Sequence, residues 1–147
     1  MSLFSRRFTL LALLCTIGTS MHAGTGAPLA IRGYDPVAYF TLQRATPGDA
    51  KLTWEWDEHV WQFANPHHRD LFKADPVKYA PQFSNYCAIA LARGEVKEAN
   101  PEYWLISDGR LYLFGKPFGP DLFRQQLGEN IERANHNRAL LEAQPAE

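Results

Sequence analysis

Two β-rich runs, Trp104-Leu105-Ile106-Ser107 and Arg110-Leu111-Tyr112-Leu113-Phe114, stand on either side of Asp108-Gly109. Only residues that tolerate positive φ suit the two-residue turn that twisted strands favour, so this stretch predicts an antiparallel hairpin. A second hairpin is predicted upstream. There Leu52, Trp54 and Trp56 alternate with Thr53 and Glu55, and Trp61 and Phe63 resume after Asp57-Glu58-His59. Two hairpins in a chain of 147 residues exclude an all-helical fold.

Helix signals lie around the hairpins. Asp35-Pro36 places a capping carboxylate before a proline at the first helical position, opening one turn that carries Val37, Tyr39 and Phe40. Asn65-Pro66 opens a helix over His67–Ala74, and Asp75-Pro76 stops it and starts a short turn through Tyr79. A third helix is predicted from Ser84 or Asn85 to Arg93, with Gly94 as its stop. A last segment over about Pro120–Leu141 repeats Phe123, Leu127, Ile131 and Ala134 at helical spacing, with Gly128 able to divide it. The predicted class is α+β: a small antiparallel sheet from two hairpins, packed with three or more short helices.

The first residues belong to something else. Ser5-Arg6-Arg7 precedes the apolar run from Phe8 to Gly18, which is shorter than the ~20 residues a bilayer span requires. Residues 1–23 read as a signal peptide cut near Ala23, and the double arginine also suits a twin-arginine export signal. Residues 24–30 read as a flexible lead-in, 31–142 as the folded domain and 143–147 as a tail. The expected location is periplasmic or secreted, with no integral membrane segment in the mature chain. Cleavage leaves 13 basic against 16 acidic residues, and no broad basic surface marks a nucleic-acid partner. Hydrophobic residues make up 46% of the chain, which suffices for a core. Cys15 leaves with the signal, so Cys87 is the one thiol of the exported domain and cannot form an internal disulfide.

Cys87 is therefore buried, engaged with a metal, or reactive. Placed in the first turn of its helix, it would meet unpaired N–H groups and a dipole that favours the thiolate. Equally, Ala88, Ile89, Ala90 and Leu91 suit a small buried residue. His67 and His68 open their own helix, where the positive dipole end favours the neutral, metal-ligating ring. Adjacent helix residues diverge by about 100°, so one of the pair faces inward, and His68 shares a face with Phe72. Trp54, Trp56, Trp61 and Trp104 serve either as core or as a stacking platform for a sugar or aromatic ligand. Neither a Gly-x-Ser-x-Gly elbow, a glycine-rich phosphate loop nor a Cys-x-x-Cys is present in the sequence.

Several stretches together resemble the exported bacterial YHS-domain proteins. They are Gly33-Tyr34-Asp35-Pro36-Val37-Ala38-Tyr39-Phe40, Trp61-Gln62-Phe63, Asp75-Pro76-Val77-Lys78-Tyr79-Ala80-Pro81-Gln82, Tyr86-Cys87-Ala88 and Trp104–Leu113, in that order. The wider group includes metal-associated modules whose cysteines correspond to Ala38, Ala64 and His68, so two of three ligands are missing here. The resemblance implies a non-catalytic metal-binding or metal-handling module for copper or zinc, with Cys87, His68 and His67 as candidate ligands. It also implies a ligand cleft at Tyr34, Tyr39 and Tyr86, and a metal-delivery or redox partner protein. Two alternatives stand beside it: a thiol-dependent enzyme using Cys87 with a nearby histidine, and a structural or ligand-binding module with an aromatic cleft. A metal site within the chain requires the Cys87 sulfur and a histidine ring to share one cleft near the Asp35-Pro36 turn; otherwise a partner completes the site or Cys87 is a core residue.

Overall fold

The computed structural model describes residues 26–143. The expected signal peptide, residues 1–23, lies outside the described residues, as do residues 144–147 of the expected tail. The lead-in is tied down at its end: the N–H of Val60 donates to the Pro28 carbonyl, Leu29 bridges Val60, and Ala30 is buried.

Among the described residues are two hairpins, six α-helices and a short 3-10 segment (Ala30–Gly33), an α+β arrangement. Strand β1 (Asp49–Trp56) pairs antiparallel with β2 (His59–Phe63), and β3 (Asn100–Ser107) pairs with β4 (Arg110–Phe114). Each hairpin forms its own two-stranded sheet, so the small sheet expected from both is divided in two. The longer strand of each carries an irregularity, between Asp49 and Thr53 in one and between Asn100 and Trp104 in the other. Asp108 and Gly109 turn at φ of 50° and 70°, as the dipeptide requires.

The helices start where their caps dictate. Asn65 accepts the N–H of His68 at 2.9 Å and opens α2 (Pro66–Ala74), while Asp75 accepts the N–H of Lys78 at 3.2 Å and opens α3 (Pro76–Tyr79). A preceding single turn, α1 (Ala38–Thr41), follows the Asp35-Pro36 corner. The third expected helix is shorter than its composition suggests: α4 covers only Ala88–Ala92. Residues 85–87 run extended beside 97–99 instead. The Ala99 N–H donates to the Asn85 carbonyl, the Cys87 N–H to the Lys97 carbonyl, and Tyr86 bridges Glu98. That pairing, together with a φ of 51° at Ser84, delays the helix. The C-terminal segment divides at Gln126, not at Gly128, into α5 (Gly119–Gln125) and α6 (Leu127–Glu142). Buried Asn130 holds the break by donating its side-chain N–H to the Phe123 carbonyl at 3.0 Å.

Strand β4 organises the interior. Leu111 and Leu113 point into a core with Ile31, Val37, Tyr39, Trp61, Phe63 and Phe72. Tyr112 and Phe114, on the opposite face, enter a second core with Phe83, Cys87, Leu91, Leu105 and Phe123. All four residues from Leu111 to Phe114 are buried, as a strand covered on both faces must be. In the first core Phe72 meets the rings of Trp56, Trp61 and Phe63 at centroid distances of 5.0–5.8 Å. Burying such a ring contributes ~1.5–3 kcal/mol.

Candidate functional site

The Asp35-Pro36 corner and the start of α2 meet in a buried polar network. Asp35 is fully buried, and each of its oxygens accepts two hydrogen bonds. Oδ1 takes the N–H groups of Val37 (2.9 Å) and Ala38 (3.3 Å), and Oδ2 takes those of Ala64 (2.8 Å) and His68 Nδ1 (2.6 Å). On the far side of the imidazole, Nε2 lies 3.0 Å from Thr41 Oγ1, which is also 3.2 Å from the Val37 carbonyl. Both ring nitrogens of His68 are thus occupied and neither offers a lone pair to a metal. Nucleophile, base and acid stand here in the order of a catalytic triad, yet the carboxylate is committed to three backbone amides. The network caps one turn, closes the end of β2 and holds α2 to both. His67, one position away, is exposed, as its place on the helix requires.

Cys87 lies elsewhere. It is 5% exposed, belongs to the second core, and occupies the capping position of α4, not its first turn. The thiol lines an open cavity of about 420 Å³ with Arg93, Glu95, Lys97, Glu98, Lys116 and Phe118. Among the described residues no histidine lines that cavity, whose wall is completed by Gly115. A Cβ on Gly115 would stand 3.8 Å from the Cys87 sulfur and 3.1 Å from the Glu98 carbonyl, so the backbone passes close. Around the mouth, Glu95 pairs with Lys97, and Glu98 pairs with Arg32 at 2.9 Å. The Lys97 hydrogen bond holds the Glu95 carboxyl below its usual range, and the Arg32 hydrogen bond does the same for Glu98.

The single cleft expected from Cys87, His68 and His67 is not formed, because β4 separates the two cores. The imidazole is bonded to Asp35 and Thr41 on the buried face of α2 that carries Phe72, a residue of the first core, and the thiol packs in the second core with Tyr112 and Phe114. Among the described residues no group of three or more His, Cys, Asp or Glu is placed to hold a metal ion. The donor set among the described residues therefore fits a metal only as one thiolate of a site completed by other ligands. The Cys87–histidine pairing of a thiol enzyme likewise has no base at the cavity.

Nor do the three tyrosines line one cleft. Tyr34 donates to Glu102 Oε1 at 2.6 Å, and this bond pushes its phenol up. Tyr39 is buried, donates to the Pro101 carbonyl at 2.9 Å and lines a different cavity, with Trp104 and Arg124. Tyr86 is 43% exposed next to Cys87. Sequence reasoning took Asp35 for a simple cap and passed over Thr41. A histidine on the apolar face of α2 was the available signal, since a buried imidazole needs a partner at each nitrogen. Compared with family models, curated proteins and solved structures, the chain matches none of them.

Proposed function

We propose that the chain is an exported, non-catalytic YHS-like module that handles a soft or borderline metal ion, copper(I) or zinc(II), through Cys87, with a partner protein supplying the remaining ligands. The observation that carries this reading is the lone thiol on the wall of an open cavity whose nearby carboxylates are engaged by Lys97 and Arg32. A thiolate suits these ions better than magnesium or calcium, which prefer oxygen. One ligand is too few for a closed site. Arg93, Lys97 and Lys116 at the same cavity oppose a bound cation. Together these features suit transient loading and transfer, not storage.

The test is titration of the metal-free chain with Cu(I) and with Zn(II), reading thiolate-to-metal absorption and iodoacetamide labelling of Cys87. Metal protection of the thiol, lost in Cys87→Ser, supports the reading, and His68 resonances stay unmoved throughout. Absence of protection at several equivalents of either metal overturns it. Fast alkylation that metal does not alter points instead to thiol chemistry.

A further inference from the structure

We propose that the cleft between the first hairpin, the loop 81–85 and α6 binds a single neutral sugar ring. Trp56, Trp61, Asp57, His59, Asn85 and Arg138 face this cavity of about 210 Å³. The size is below the ~300–1,000 Å³ of pockets for drug-sized ligands, which restricts it to one ring. It lies apart from the Cys87 cavity, so the proposal does not depend on the metal reading.

A sugar needs an aromatic surface for its C–H face and both donors and acceptors for its hydroxyls. The tryptophans supply the first. Trp61 is 4% exposed with its indole N–H bonded to the Trp56 carbonyl at 2.9 Å, and Trp56 is half-buried above it, its ring centroid 6.0 Å away. Acceptors come from the hairpin turn. The Asp57 carboxylate is one, and the His59 ring is another: its Nδ1 lies 2.7 Å from the Asp57 carbonyl, which can only accept. That bond places the hydrogen of the neutral ring on Nδ1 and leaves Nε2 as a bare acceptor.

Donors come from the opposite wall. Asn85 spends its oxygen on the N–H of Ile31 at 2.6 Å, which leaves its NH₂ group. Arg138 is anchored by one N–H to the Gln82 carbonyl at 3.0 Å, keeping further N–H groups in a fixed fork. Arg138 also pairs with Glu142 at 3.4 Å, so beside Asp57 the cavity has no surplus positive charge to draw an aromatic acid, which favours an uncharged ligand.

Backbone strain gathers at the same rim. Both hairpins use a two-residue turn with positive φ, but Asp108-Gly109 places glycine there whereas Asp57-Glu58 holds two full side chains at 50° and 59°. On the facing wall Ser84 sits at 51°. Asp57 matches Asp108 at the first turn position, so the strain peculiar to this hairpin falls on Glu58, and the place of Asp57 in the site rests on its lining the cavity.

The test is titration of the metal-free full chain with methyl glucoside and with N-acetylglucosamine, following the indole N–H resonances. The expected result is a saturable shift of Trp56 with Kd on the order of 1 mM, while Trp54, which is exposed and does not line the cavity, stays unmoved. Arg138→Gln, at a partly exposed position, keeps the fold and weakens binding about tenfold; Trp54→Ala binds as the parent does. Lack of a saturable shift with either sugar up to about 100 mM, an Arg138→Gln affinity equal to the parent's, or a Trp56 response to benzoate alone overturns the proposal.

Discussion

His68 Nδ1 lies 2.6 Å from Asp35 Oδ2, joining two segments 33 residues apart in a place where neither group meets solvent. Asp35→Ala would leave the N–H groups of Val37, Ala38 and Ala64 and the imidazole N–H without an acceptor in the interior. Breaking such a buried pair costs about 3–5 kcal/mol, a large share of the ~5–15 kcal/mol that holds a domain together. Thr41→Val removes the hydroxyl that meets Nε2 and the Val37 carbonyl and should cost about 1 kcal/mol. Urea midpoints measure both, and the Asp35→Ala/His68→Ala double variant should fall short of the summed losses by about 1–3 kcal/mol. An Asp35→Ala protein as stable as its parent would mean that the network is not what secures α2.

Burial pushes the phenol of Tyr39 well above its ordinary range, and burial raises that of Tyr112 as well. The sign follows from linkage. The unfolded chain releases these protons near pH 10 while the folded chain keeps them, so stability is complete below ~10 and falls as the pH rises beyond it. Each group held protonated contributes a slope of about 1.4 kcal/mol per pH unit in that window. Tyr39→Phe removes its share of the slope at high pH. At neutral pH the same substitution costs about 1 kcal/mol, because the bond to the Pro101 carbonyl is lost. Thermal or urea unfolding from pH 8 to 11.5 would reveal both effects, and an unchanged slope in Tyr39→Phe would contradict the argument.

What was legible in the sequence is what neighbouring residues decide. Asn65 and Asp75 cap the helices they precede, and Asp108-Gly109 makes its turn, because each acts within three or four residues of itself. Ser84 and Asn85 look equally like caps, yet the strip Lys97–Ala99 claims the backbone beside them, and only the folded chain contains that strip's position. The separation of Cys87 from His68 has a signal in the sequence. Leu111-Tyr112-Leu113-Phe114 is apolar without alternation, the mark of a strand buried on both faces. Such a strand has a core on each side, so two candidate ligands need not share one. The cavity beside Trp56 is less legible still, since Arg138 reaches it from the C-terminal helix.

Two glycines should respond in opposite directions to the same substitution. A Cβ on Gly119 would fall 2.6 Å from the Phe114 Cβ and 2.9 Å from its ring, against a side chain that is itself fully buried. Gly119→Ala therefore overpacks the second core and should destabilise by about 1–3 kcal/mol. Gly128 lies exposed in the first turn of α6 with nothing within 4 Å of an added Cβ. Gly128→Ala should stabilise by about 0.4–1 kcal/mol, because the unfolded chain loses freedom while the helix gains a better former. Opposite shifts in melting temperature are the expected outcome, and shifts of one sign would mean that one of the two environments is wrongly described.

The strained turn gives the last prediction. Glu58 has φ of 59° at the second position of its two-residue turn, the place that Gly109 fills in the other hairpin. Its side chain is exposed and does not line the cavity beside Trp56. Glu58→Gly relieves a left-handed conformation that costs a non-glycine residue about 1–3 kcal/mol, but it also adds freedom to the unfolded chain, worth roughly 0.5–1 kcal/mol. The first effect exceeds the second, so a net gain of about 0.5–2 kcal/mol is expected. Asp57→Gly relieves similar strain at 50° and also removes a lining carboxylate. The two variants should therefore both be more stable in urea and differ in sugar affinity, with Glu58→Gly binding as the parent and Asp57→Gly more weakly. Equal affinity in the two would remove Asp57 from the site while leaving the strain argument standing on the stability data alone.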